Sequence, residues 1–135
     1  MKTIIWSARV YVWISALAFL SVAYMAFSNP QSVMDLVQVQ LPNNDARSSI
    51  RGVYGGVGFC LFGFLVFWSF RNLNMALSFL SFIWGGYVLS RAITLFLDGP
   101  LGDFGNQWIV IEFFFFLLGM FLWIWTGSRK SLTAI

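Results

Sequence analysis

The placement of ionisable residues constrains this chain more than any motif does. Four long stretches, 4–27, 50–70, 73–97 and 108–126, are almost free of charge, and nearly every Asp, Glu, Lys and Arg lies at or near their ends. Each stretch reaches or approaches the ~20 residues that an α-helix needs to cross a ~30 Å hydrocarbon layer. Composition agrees, with 59% hydrophobic and 10% charged residues and a mean hydropathy of +0.79. A water-soluble domain of this length could bury one or two all-apolar helices, but four would leave nothing amphipathic to cover them. The expected fold is an all-α, integral membrane four-helix bundle, a single membrane domain over 1–135 with no space for a separate soluble catalytic module.

The first stretch invites a second reading. Lys2 and Arg9 followed by an apolar run could mark a cleaved leader, with Ser21, Val22 and Ala23 as a small-residue cleavage site; the reading adopted here is a retained first span. The single cysteine, Cys60, lies within the second stretch, so no intrachain disulfide can form and Cys60 is expected to pack as a small apolar residue.

An even number of spans places both termini on one side of the membrane. That side carries Lys2, Arg9, Arg71, Arg129 and Lys130 and no acid, for a charge of +5. The other carries Asp35, Asp45, Asp98, Asp103 and Glu112 against Arg47, Arg51 and Arg91, for −2, which together account for the net +3. Basic residues in short loops favour the cytoplasm, so the bundle is expected N-in and C-in, with membrane lipids as its immediate partners and no case for nucleic acid. Only Arg71 and Asn72 separate the second and third spans, which implies a tight hairpin. The longer outer loop, 28–49, opens on Asn29-Pro30 and closes on Pro42-Asn43-Asn44-Asp45, where Asn or Asp can cap the next helix. Between them Val37-Gln38-Val39-Gln40-Leu41 alternates apolar and polar, which suits an extended segment lying either over the outer mouth of the bundle or on the lipid surface.

Two constellations stand out within the spans. Gly52, Gly56 and Cys60 recur at intervals of four, with Gly63 near the same stripe, and Ser78, Ser81 and Gly85 form a small-residue set on the third span. Small side chains let helix backbones approach closely in lipid, so these sets are expected to pack the second span on the third. Arg51, Arg91 and Glu112 are expected at similar depth in the outer third of the bilayer. An isolated charge there costs on the order of 2.5 to 3.5 kcal/mol, so they should face inward and pair. Asp98, seven residues beyond Arg91 and about 10 Å further along the same helix face, and Asp45 offer further carboxylates, with Tyr54, Tyr87 and Thr94 nearby. Two arginines against one carboxylate would leave guanidinium donors for an anionic ligand. The alternative is a self-satisfied ion network that fixes helix register. Arg9, with no acid on its side, is expected to snorkel to the headgroups.

The run from Asn44 to Gly58, with Arg51-Gly52-Val53-Tyr54 and Gly58 at its heart, resembles a signature of a bacterial family of small membrane proteins known as domain of unknown function 4345. Arg91-Ala92-Ile93-Thr94-Leu95-Phe96-Leu97-Asp98-Gly99-Pro100 is similar to the family's second signature, an arginine closing the third span ahead of Asp-Gly, and Glu112 fits an acid early in the last span. The resemblance implies a four-helix protein of a bacterial inner membrane and brings no established activity.

Several chemistries are excluded or unsupported. The chain has no histidine, which removes histidine ligation of haem or metal and a histidine base. One cysteine removes a thiol-pair redox enzyme of the vitamin-K-reductase type. No phosphate-binding glycine loop or nucleotide fingerprint is present, and no cofactor is implied. A small multidrug transporter has similar size, but its essential acid lies in the first span, which here has none. Glu112 with Tyr54 or Arg91 could transfer a proton, yet nothing calls for it. The expectation is a noncatalytic accessory or structural subunit of a larger membrane complex, or a homo-oligomer. The alternative is a binder or carrier of a lipid-like or anionic small molecule at the outer cluster. The seven tryptophans, Trp6, Trp13, Trp68, Trp84, Trp108, Trp123 and Trp125, are expected at span ends and flanks.

Overall fold

The computed structural model describes residues 2–132; the side chains of Lys2, Arg129 and Lys130, which count toward the basic side, lie outside the described residues. The order of elements is α1 (Lys2–Ser28), α2 (Pro30–Asp35), α3 (Asn44–Ile50), a π-helical segment (Arg51–Gly56), α4 (Val57–Arg71), α5 (Leu73–Leu97) and α6 (Asp103–Leu132). From Asn44 to Arg71 the helix is unbroken, so four helices are long and apolar enough to cross a membrane: Thr3–Ser28, Asn44–Arg71, Leu73–Leu97 and Asp103–Gly127. The second and fourth begin about one and a half turns earlier than hydropathy alone places them, because their first turns are polar.

Asparagine starts three of the helices. Asn29 accepts from the Gln31 N–H ahead of Pro30, whose missing N–H costs nothing at that position. Asn43 accepts from Ala46 N at 2.9 Å and Asn72 from Met75 N at 3.2 Å, each satisfying a donor that has no partner within its helix. Asn72 also ends α4, its own N–H reaching Trp68 O at 2.9 Å. At the far end of α5 the chain turns through Gly99, whose φ of +103° suits glycine, and whose N–H returns to Thr94 O.

Buried positions on α1 recur at near-heptad spacing: Ala8, Tyr11 with Val12, Ser15 with Ala16, Phe19, Ala23 and Ala26. On α5, Leu77, Leu80 with Ser81, and Trp84 continue down to Arg91; on α6, Glu112, Gly119 and Leu122 follow the same rhythm. Such spacing suits antiparallel helices crossing at shallow angles. At mid-bundle the α1 and α5 stripes meet around Trp84, which is 5% exposed, stacks on Phe19 at 5.7 Å, packs on Phe115 at 5.0 Å and donates through Nε1 to Ser15 Oγ at 3.3 Å. Trp84 is therefore a core residue and no interfacial anchor, as its place near the middle of α5 requires. Tyr11 ties α1 to α6 by donating its hydroxyl to Phe115 O at 2.8 Å.

The small-residue expectation is corrected. Added Cβ atoms at Gly52, Gly56 and Gly63 meet nothing within 4 Å, and Cys60 is exposed. The second span packs on α1 through a different face. A Cβ at Gly58 lies 3.2 Å from Ala23 Cβ, and one at Gly55 lies 2.8 Å from the Phe27 ring. The second and third spans meet instead through Phe64 on Phe79, with centroids 4.5 Å apart. Ser81 and Gly85 face α6, against Gly119 and Phe116, while Ser78 turns its hydroxyl to Met75 O. Bulk explains the outcome: Phe64 and Phe79 fill the space between α4 and α5, so glycines are needed only where α1 and α6 come close.

The connection after α1 is ordered by Gln31. Its Nε2 donates to Asp35 Oδ1 at 2.7 Å and Val39 O at 2.9 Å, and its Oε1 accepts from Leu41 N at 2.9 Å. Leu41 and Ile50 pack on Ala26, Val33 and Met34, which seats this segment on the ends of the first two spans, while Val37 and Val39 stay exposed.

A Cβ at Gly119 would lie 2.5 Å from the Tyr11 hydroxyl and 3.1 Å from Ser81 Oγ. Gly119→Ala is expected to lower stability in detergent by about 1–3 kcal/mol, and Tyr11→Phe in that background to restore part of it. Gly52→Ala and Gly63→Ala should change stability by less than ~0.5 kcal/mol. Unchanged unfolding of Gly119→Ala would show that α1 and α6 do not approach this closely.

Candidate functional site

Arg91 lies two turns before the end of α5, and Glu112 more than two turns into α6. Because the turn between these helices is short and the helices antiparallel, the two residues arrive level with one another. Arg91 Nε donates to Glu112 Oε2 at 3.1 Å and Nη2 to Oε1 at 3.0 Å, a side-on pair that occupies both carboxylate oxygens. The Glu112 side chain is 4% exposed and that of Arg91 23%. The two-pronged geometry matches the guanidinium fork to the carboxylate plane, which a lysine could not reproduce. Phe104 completes the setting, its ring centroid 5.7 Å from the guanidinium carbon. Phe104, Trp108 and Glu112 are spaced by four, so one face of α6 supplies both the carboxylate and the aromatic surface. That spacing was the available signal for Phe104, which the sequence reading passed over.

Tyr87 sits one turn before Arg91 on α5, with its ring 6.0 Å from Trp84 and within electrostatic range of Tyr54, Glu112 and Arg91. The structure thus gathers Arg91, Glu112, Tyr87 and Tyr54 at one end of the bundle. Arg51 does not join them. Its Nε donates to Phe27 O at 3.4 Å, one of the carbonyls left without a donor at the C-terminal end of α1, where a cation also meets the negative end of the helix dipole. Arg51 lies seven residues into a helix that begins at Asn44, which turns it toward α1 rather than toward α6. Asp98 and Asp45 are exposed and form no ion pair among the described residues; Asp98 closes α5 through its backbone N–H, and Asp45 lies in the first turn of α3. Thr94 spends its hydroxyl on Ser90 O.

With Arg51 elsewhere, the expected surplus of positive charge is absent: one guanidinium faces one carboxylate. Arg91 Nη1 has no hydrogen-bond partner among the described residues and is the donor still free to meet a ligand. Among those residues no three His, Cys, Asp or Glu side chains gather as a metal site.

A family model described as Domain of unknown function (DUF4345) matches residues 7–124. The chain belongs to this family. The match reaches into all four membrane-length helices of the DUF4345 protein and includes Arg91 and Glu112. No curated protein and no solved structure matches the chain.

Removing one member of the pair leaves the other desolvated. Glu112→Ala is expected to cost about 3–5 kcal/mol, and Arg91→Leu added to it to cost far less than the sum of the two single changes. Reversible unfolding in mixed micelles measures both; strictly additive losses would show that the two groups do not act as a pair.

Proposed function

We propose that this DUF4345 protein is a noncatalytic membrane protein that works by docking its second span on another transmembrane helix, as an accessory subunit of a larger complex or as a homo-oligomer. The observation that supports this reading is the small-residue stripe of Gly52, Gly56, Cys60 and Gly63, which the protein's own helices leave open. Within hydrocarbon there is no hydrophobic gain in covering such a face, but small residues let two backbones come close and gain dispersion contacts. The segregation of basic residues supports an orientation with both termini in the cytoplasm, and the family resemblance supports a bacterial inner membrane.

A second reading, binding of a lipid-like or anionic small molecule, is favoured by Arg91 Nη1, which has no hydrogen-bond partner among the described residues. It is the weaker one because Glu112 already neutralises Arg91.

Untagged protein extracted in mild detergent is expected to migrate well above its 15.4 kDa chain mass, and Gly56→Leu to reduce it to a monomer without loss of fold. If the partner is a second copy, mild oxidation of native membranes links Cys60 to Cys60. A wild-type monomer in the native extract would refute the docking reading. A monomer that retains one small molecule, released by Arg91→Lys, would establish the second.

A further inference from the structure

Arg9 and Arg91 lie within long helices at opposite ends of the bundle, and they are treated differently. Arg91 has Glu112. Arg9 has no acid: no ion pair reaches it among the described residues, and its Nε is buried without a hydrogen-bond partner. Its guanidinium carbon sits 5.8 Å from the Phe70 ring centroid, and Trp13 meets the same ring edge-on at 6.0 Å. Arg9 is seven residues into α1, about 10 Å from its start, deep enough that an uncompensated charge is costly. Alongside it runs a groove of about 280 Å³ lined by Trp6, Arg9, Val10, Trp13, Ile14 and Leu17.

We propose that this groove holds an anionic phospholipid, with its phosphate on Arg9 and an acyl chain along Val10, Ile14 and Leu17. Those three residues follow i, i+4, i+7 spacing, so they form one apolar strip leading from Arg9 toward the membrane interior. Trp6 and Trp13 stand one turn to either side of the arginine, where ring edges suit the boundary between headgroup and chain. Among the described residues on this side of the bundle, the charged ones, Arg9 and Arg71, are both basic. The counter-charge for Arg9 must therefore come from outside the chain, and at that depth a lipid phosphate is the anion within reach. The site is independent of the docking stripe on the second span.

The test uses the full chain in phosphatidylcholine vesicles containing either brominated phosphatidylglycerol or brominated phosphatidylcholine at equal mole fraction. Trp6 and Trp13 line the groove, so their fluorescence reports occupancy; a Trp6→Phe, Trp13→Phe variant subtracts the other tryptophans. The expected result is about a fivefold preference for the anionic lipid, falling to near one in Arg9→Gln and unchanged in Arg71→Gln. Should Arg9→Gln fail to fold, Ile14→Phe, which narrows the groove at an exposed position and keeps the charge, should also abolish the preference. Equal quenching by both lipids, quenching by neither, or a preference that survives Arg9→Gln or Ile14→Phe would overturn the proposal.

Discussion

Hydrocarbon offers no hydrogen bonds, and that single constraint organises the molecule. Each long helix satisfies its backbone internally, and most hydroxyls within the helices turn back on the same helix: Ser69 to Val66 O, Ser78 to Met75 O, Ser81 to Leu77 O and Thr94 to Ser90 O. Other polar groups reach a neighbouring helix, and these define the cross-links: Tyr11 to Phe115 O, Trp84 to Ser15, Thr126 to Asn74 Oδ1 and Arg91 to Glu112. All four join the first, third and fourth spans.

The second span is held differently. Its contacts with α1 rest on Gly55 and Gly58 closing against Phe27 and Ala23, and its contact with α5 on aromatic rings. Arg51 adds one bond at the end of α1. The π-helical turns begin at the same arginine, widening the helix where the glycines leave side-chain space. The three-span unit is thus fixed by directional bonds, and the remaining span by close packing.

How far the sequence could be read follows from the same physics. The spans were legible because charge is excluded from hydrocarbon, and the asparagine cap at Asn43 because helix starts need an acceptor. The pairing of Arg91 with Glu112 was legible in depth, since a buried charge seeks its opposite. The partner of Arg51 was not, because a carbonyl at a helix end attracts a guanidinium without leaving any mark in the side-chain pattern. Nor could the glycine faces be assigned. In lipid a glycine stripe reads alike whether it meets another helix of the same chain or faces outward, since hydrophobicity does not distinguish the two. Trp84 was misplaced for a related reason: tryptophan serves as an interfacial anchor or a core residue, and only the facing Ser15 hydroxyl decides between them.

Asn72 stands as the sole residue between α4 and α5, closing one helix with its N–H and opening the next with its side chain. A joint one residue long has no slack. The two helices it connects cannot slide past one another along their axes, yet they can pivot about it as a pair of compass arms does. Any force that tilts the second span, which is held by close packing rather than by directional bonds, is therefore passed on as a pull at the start of α5, the helix that carries both Trp84 and Arg91.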